Sequence, residues 1–220
     1  YLAMNYSSYR DLDTISKFTE SLEYGCVESS IELAKERGSY PAFKGSMWYT
    51  GEKVDYFKQH SRSSLDWDAL QQGINQYGIR NSQLTSPAPN TSTSIFMDAA
   101  AGVMPIYAPY FTEDNKDGSI PVVAMYLKDR PLQYAKTFGK HNQAELTEAI
   151  GVMQKHIDTG ISAEYLLDQN MEGFSAKMLY DLIIKAWKNE TKSIYYVRTI
   201  KKGNNVGDLL GVKDTDACVG

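Results

Sequence analysis

Cysteine is scarce in this chain: Cys26 and Cys218 stand alone near opposite ends, and neither has a second thiol close by in sequence. Such spacing excludes a disulfide framework and a paired-cysteine metal knuckle within the chain, so redox chemistry here needs partners. Histidine is equally sparse. His60, His141 and His156 are scattered without an i, i+4 pair, and no metal site is expected. No apolar run approaches the ~18 residues of a membrane span, and residues 1–13 lack a charged-then-apolar signal pattern. An excess of positive charge is missing too. Lys and Arg number 23 against 27 Asp and Glu, a formal charge of −4 that gives no field for holding a phosphate backbone, so nucleic acid is not an expected partner. These absences describe a soluble, cytoplasmic protein. The Gly-x-Ser-x-Gly elbow, the P-loop lysine and the dinucleotide fingerprint are also absent.

What is present is enough apolar surface for one sizeable core: 42% of the 220 residues are hydrophobic and 12% aromatic. The first residue is Tyr1, and the opening segment carries no helix cap, so the chain is expected to start inside a longer protein. Over residues 13–37 the apolar positions Ile15, Phe18, Leu22, Cys26 and Leu33 fall at helical spacing, with Gly38 and Pro41 as a stop. Cys26 lies on that stripe and reads as a small buried hydrophobe. Residues 38–64 show no sustained period and read as an ordered, irregular connection. A second helix is expected over 66–77, a short strand over 80–85, and a short helix over 95–101 capped by the residues of 90–94. Residues 106–130 resemble two extended pieces around the turn dipeptide Asp117-Gly118. Next come a helix marked by Leu146, Ile150, Met153 and Ile157, a strand over 161–166, a helix begun by Ser175, and a strand over 193–199. Strand, helix and strand in that order imply a right-handed crossover and a parallel pair, hence an α/β class. His156 sits beside the apolar stripe of its helix and reads as a boundary residue. Residues 203–220 turn polar and are expected to form a mobile tail beyond a main domain ending near residue 200.

Three features could carry chemistry. Ala88-Pro89-Asn90-Thr91-Ser92-Thr93-Ser94 lies between a strand and a helix, where free N–H groups and hydroxyls suit a phosphate or diphosphate; ordinary helix capping explains the same residues without a ligand. Tyr195 and Tyr196 are adjacent in a segment of strand character, which would send them to opposite faces. If the backbone bends there, the phenols could stack and pass hydrogen-atom equivalents. Cys218 sits three residues from the end, where a thiol on a flexible arm could attack a disulfide elsewhere, or be an ordinary surface thiol.

Read in order, these segments resemble the large, catalytic subunit of class I ribonucleotide reductases over nearly the whole chain. Glu32-Leu33-Ala34-Lys35-Glu36-Arg37-Gly38 resembles the family's helix end, and Tyr77-Gly78-Ile79-Arg80-Asn81-Ser82 its G-[LI]-R-N-S strand. Residues 89–94 are similar to its phosphate loop, followed at the expected distance by Gly102 and Pro105; residues 152–158 with Ile161-Ser162 look like its Q-K-W-I-D stretch. Ile194-Tyr195-Tyr196 resembles its [LI]-Y-Y strand and Cys218 the first cysteine of its tail pair. The resemblance implies the C-terminal part of a ten-stranded α/β barrel and a radical-based reduction of ribonucleoside diphosphates to deoxyribonucleotides, the supply for DNA replication. Pro89, Asn90, Thr91, Ser92 and Thr93 would bind the substrate diphosphate, Tyr195 and Tyr196 would relay the radical, and Cys218 would help re-reduce the active-site disulfide. The tyrosine pair favours class I over the cobalamin-dependent class, which has no use for a relay. Implied partners are the rest of the large subunit, a radical-generating small subunit that carries the radical cofactor, and a thioredoxin- or glutaredoxin-like reductant. No cofactor is expected on this chain, and the complete enzyme is expected to be a homodimer.

Departures qualify the resemblance. Thr91 stands where one branch of the family has a glutamate, and His156 where the pattern has Trp. The family's thiyl-forming cysteine with its Asn and Glu partners, its redox cysteine pair and its allosteric region have no counterpart in these residues. The chain by itself is therefore expected to be inactive, either as part of a longer subunit or as a separate piece that complements one. An unrelated phosphate-binding α/β domain is the alternative from another class, and it would have no use for the tyrosines.

Overall fold

The longest element is defined by its ends. Helix α1 (Leu12–Arg37) begins where the Asp11 carboxylate accepts the Thr14 N–H, and it stops at Gly38, whose N–H is bonded to the Ala34 carbonyl. The computed structural model describes residues 9–97, 99–115, 118–129, 131, 142–172 and 174–203, and all structural statements refer to these. The face that α1 buries is not the expected stripe. Ile15 is buried, but Phe18, Leu22 and Leu33 point outward, 61%, 47% and 39% exposed, and Cys26 is half-buried. The inward face carries Thr19, Glu20, Glu23, Val27, Ser30, Ile31 and Ala34. Of its two carboxylates, Glu20 is met there by four donors and Glu23 by the Thr85 hydroxyl.

The segment 38–64 holds two helices where the sequence suggested an irregular connection. In α2 (Met47–Thr50) the Ser46 hydroxyl accepts the Tyr49 N–H, and Gly51, at φ 87°, turns the chain directly into α3 (Glu52–His60). Short helices separated by one residue leave too little length for a periodic signal. Trp48, Val54 and Phe57 from this pair pack with Val27 and Ile31 of α1 and with Trp67, Leu70 and Ile74 of α4 (Trp67–Tyr77). Helix α4 follows the expected bounds, capped by Asp66 and stopped at Gly78. There a side chain is doubly disfavoured, by φ 77° and by the Ser39 hydroxyl standing where a Cβ would sit.

Residues 80–85 form no ladder among the described residues; they run extended, fixed by side chains. Asn81 N–H donates to the Ser30 hydroxyl, Leu84 N–H to Asp158, and the Thr85 carbonyl accepts from Thr159 N–H. Helix α5 spans Thr91–Phe96, so the residues expected to cap a later helix are its first turn. The two extended pieces pair as an antiparallel hairpin, β1 (Tyr110–Asn115) with β2 (Gly118–Val123), and the strands run into the residues 113–118 expected to form the turn.

The last third is the strand, helix, strand unit. Helix α6 (Gln143–Gln154) is capped by Asn142 and packs against α1 through Ala149, Ile150 and Met153 around Ile15. Strand β3 (Glu164–Asp168) pairs in parallel with β4 (Tyr196–Ile200), with α7 (Ala176–Lys188) between them in sequence. Both strands start three residues later than their composition suggests. Alternation on β3 sends Tyr165 and Leu167 against Leu182 and Ala186 of α7, and Leu166 against Leu146 of α6. Burial on both faces explains why the strand reads Tyr-Leu-Leu rather than alternating apolar and polar. Helices α6 and α7 approach closely enough that a Cβ on Gly151 would lie 2.5 Å from the Asn189 Cβ.

Candidate functional site

Three extended segments lie side by side and bring the two candidate regions together. Thr159 N–H donates to the Thr85 carbonyl and Ser162 N–H to the Pro87 carbonyl, while on the other side Tyr195 N–H donates to the Ala163 carbonyl at 2.7 Å. The segment 159–163 thus joins the approach to the 89–93 loop with the tyrosine pair. Gly160 and Ser193 meet in the same region, and the Ser193 hydroxyl donates to the Ile161 carbonyl.

Asn90 is the N-cap of α5, but its side chain makes no cap hydrogen bond; the amide donates instead to the Ala88 carbonyl at 2.9 Å. The Asn90 N–H donates to the Ala101 carbonyl, which ties the loop's start to the segment after the helix. The first internal bond of the turn runs from Ser94 N–H to the Asn90 carbonyl, so the N–H groups of Thr91, Ser92 and Thr93 precede it, as first-turn groups do. Pro89, Asn90, Ser92 and Thr93 are exposed. The arrangement suits an anion at the helix start, presented by a side chain-free row of donors.

The tyrosine rings meet at a tilt. Tyr195 lies one residue before β4 begins, so strand alternation does not separate it from Tyr196; the ring centroids are 4.0 Å apart with planes at 46°. Both rings are about half exposed, 44% and 47%. The Tyr196 hydroxyl, through a hydrogen bond and its charge when ionised, pushes the Tyr195 phenol above the ordinary tyrosine range. Two half-exposed phenols in contact can exchange a hydrogen atom.

Around this pair sits a cluster that sequence reasoning did not find. Glu164 faces Tyr196 across the parallel ladder, and Arg198, two residues along β4, shares the face of Tyr196. Arg198 Nε is 2.6 Å from Glu164 Oε2, and its guanidinium carbon lies 5.1 Å from the Tyr196 ring centre and 5.6 Å from that of Tyr107. The Tyr107 hydroxyl donates to the same Glu164 carboxylate. Burial, then that carboxylate, hold the Tyr107 proton well above the ordinary tyrosine range. Glu164 was within reach of sequence reasoning only once the strand register was known.

A family model described as "Ribonucleotide reductase, barrel domain" matches residues 1–197. The chain belongs to the ribonucleotide reductase family. Its relatives include the ribonucleoside-diphosphate reductase subunit alpha of Synechocystis sp., 33% identical over 216 residues, covering 92% of this chain and 28% of that protein. The subunit alpha of Treponema pallidum is 34% identical over 196 residues, covering 89% of this chain and 22% of its own length. That of Enterobacteria phage T4 is 28% identical over 222 residues, covering 94% and 29%. This ribonucleotide reductase chain therefore spans less than a third of the curated relatives it matches.

Within the reductase chain, His156 is not the boundary residue its position suggested. It is fully buried, its ring stacked on Phe57 at 5.7 Å, and Nε2 lies 3.3 Å from the His60 carbonyl. Burial pushes its pKa down. A flat aromatic ring in a core slot explains how His can stand where the reductase pattern has Trp. Two buried carboxylates on α1 were also missed, because an apolar search passes over them. Burial pushes Glu20 up, but donors from Ser61, Arg62 N–H, Trp67 and Ser63 outweigh it and leave its pKa lowered. Glu23 accepts from Thr85 alone at one oxygen and faces Asp158; burial first, then Asp158, push it up to about 8. Asp158 is itself held by Lys53 at 2.7 Å. Cys218 lies outside the described residues. Among them, no helix is long and apolar enough to cross a membrane.

Proposed function

We propose that this chain supplies the substrate-phosphate loop and the radical-relay tyrosines of a class I ribonucleoside-diphosphate reductase, as the C-terminal part of a ten-stranded barrel. The observation that carries the reading is the contact of Tyr195 with Tyr196 at 4.0 Å, against the alternation that a continuous strand would impose. Packing alone does not call for two half-exposed phenols in contact where the strand begins. A relay does, because hydrogen-atom transfer requires the donor and acceptor oxygens to be close and the surface to admit a partner.

In this role Pro89, Asn90, Thr91, Ser92 and Thr93 would hold the diphosphate of a ribonucleoside diphosphate at the start of α5, and the segment 159–163 would keep that loop in register with the relay. With Thr91 in place of a glutamate, the loop would meet the phosphates with backbone donors and hydroxyls rather than through a carboxylate. Cys218 would serve the re-reduction of the enzyme's disulfide, with electrons from a thioredoxin- or glutaredoxin-like protein. The thiol that attacks the ribose, the radical cofactor and the allosteric sites would belong to the rest of the catalytic subunit and to the radical-generating small subunit. The outward row Phe18, Leu22 and Leu33 on α1 supports such an assembly, since an apolar row of this kind on a monomer's surface calls for cover.

Tyr195→Phe in the complete catalytic subunit tests the relay. The change keeps the ring and removes only the hydroxyl, so a packing role would cost about 0.5–1.5 kcal/mol of stability and leave turnover near normal. The relay reading expects turnover with the small subunit to fall by several orders of magnitude while the melting temperature and substrate affinity hold. Near-normal turnover would refute the relay.

A further inference from the structure

We propose that Arg198 is a positioning residue for the tyrosine relay, clamped by Glu164 near the rings of Tyr107 and Tyr196 so that Tyr196 stays in contact with Tyr195. The inference rests on the relay reading above and adds to it the device that fixes the relay's geometry.

Tyr196 is half exposed, and an aromatic ring at a strand's first residue has little to fix its rotamer. The structure supplies a fixed neighbour. Arg198 occupies the same face two residues on, with its guanidinium within cation–π range of the Tyr196 ring at 5.1 Å. An arginine on a surface strand would ordinarily sample several rotamers, but this one is held from two sides. Its Nε and terminal nitrogen reach the two Glu164 oxygens at 2.6 and 3.3 Å, and its guanidinium carbon also lies 5.6 Å from the Tyr107 ring centre. Glu164 is in turn oriented by the Tyr107 hydroxyl, which donates to it. Register makes the arrangement possible: Glu164 is the ladder partner of Tyr196, so the carboxylate faces the strand between Tyr196 and Arg198. A bidentate arginine fork carries geometric specificity that a point charge lacks.

The cluster also separates the roles of three tyrosines. Tyr107 keeps its proton committed to Glu164 and serves the scaffold. Tyr195 and Tyr196 remain free to exchange a hydrogen atom: as one phenol's O–H bond breaks, the other's forms, and one proton and one electron move together. The oxidising equivalent that starts the exchange is a phenoxyl-class radical brought by the partner subunit. A guanidinium charge over the Tyr196 ring disfavours loss of the electron without the proton, because the resulting ring cation would face a fixed positive charge. Arg198 would thus act twice on Tyr196, on its position and on the coupling of its two particles.

The test uses the complete catalytic subunit with its radical-generating partner, comparing Arg198→Gln, Arg198→Lys and Tyr196→Phe. Arg198→Gln is expected to lower kcat at least tenfold, with the KM for ribonucleoside diphosphate and the affinity for the partner within twofold of the parent. Arg198→Lys keeps a positive charge near the ring but loses the two-point hold on Glu164, so it is expected to recover only a small part of that loss, and parent-like turnover in it would overturn the positioning role. Parent-like turnover in Arg198→Gln, while Tyr196→Phe is inactive, would overturn the positioning role and leave the relay standing. So would a loss in Arg198→Gln that appears as a raised KM or as weakened partner affinity. Substantial turnover in Tyr196→Phe would instead remove the relay reading on which the inference rests.

Discussion

Glu20 and Glu23 lie three residues apart on one face of α1, both buried, yet they respond to their surroundings in opposite directions. Glu20 is surrounded by four donors, which outweigh the cost of burying its charge, so its contribution is present at neutral pH and is lost as pH falls through its lowered folded value. Glu23 has too few donors for that, and Oε1 has no partner among the described residues. Its folded pKa of about 8 stands above the ordinary carboxylate value of 4.5. Between those values the folded state binds a proton that the unfolded state has released, so stability falls as pH rises from about 4.5 to about 8, by up to about 1.4 kcal/mol per pH unit. Glu23→Gln keeps an acceptor for Thr85 and removes the charge. Thermal melts of the chain across that window should show a decline in the parent and a flatter profile in the variant; a parent whose stability does not change from pH 5 to pH 8 would contradict this account of Glu23.

At the level of elements, the helices with a long apolar period were legible from sequence and the short ones were not. The bounds of α4 follow from Asp66, Gly78 and the spacing of Trp67, Leu70 and Ile74. By contrast, α2 and α3 are too short to show a period, and α1 is long enough but misleading. Its outward row is apolar while its inward face carries Thr19, Glu20 and Glu23, so hydrophobicity alone assigned the wrong side to the core. The hairpin was readable because turn chemistry is local. The tyrosine contact was not, since whether Tyr195 obeys strand alternation depends on where β4 begins, and that is set by pairing with residue 164 far away in sequence. For the same reason Tyr107, Glu164 and Arg198 could not be joined from the sequence. In the 89–94 segment, the residues expected to precede a helix prove to be its first turn. Proline is tolerated at a helix's first position, where it removes only an N–H that no internal bond uses. Thr91→Pro removes that N–H and also presses Asn90, at ψ 43°, toward extended backbone, so it should weaken ribonucleoside diphosphate binding by the complete enzyme at least about 10-fold, the loss of one charge-assisted hydrogen bond of roughly 1.5–3 kcal/mol being the minimum. Isothermal titration measures it directly, and an unchanged affinity would take the Thr91 N–H out of the phosphate site.

At the scale of the whole molecule, the approach to the 89–93 loop and the tyrosine pair are both tied to residues 159–163, through the Thr85 and Pro87 carbonyls and through the Tyr195 N–H. The polar inward face of α1 and its apolar outward row make sense together if the surface of α1 is an internal boundary of a larger reductase subunit. On that view the chain's residues hold and relay, and the attacking thiol comes from elsewhere. The central claim is that Tyr196 passes a hydrogen atom rather than merely packing. The most direct measurement is deoxynucleotide formation by the complete catalytic subunit carrying Tyr196→Phe, assayed with its small subunit under conditions where association and substrate binding are verified. The account predicts that turnover is abolished while both binding steps persist, because the O–H bond that must break and re-form is gone. Substantial deoxynucleotide formation by that variant would contradict it.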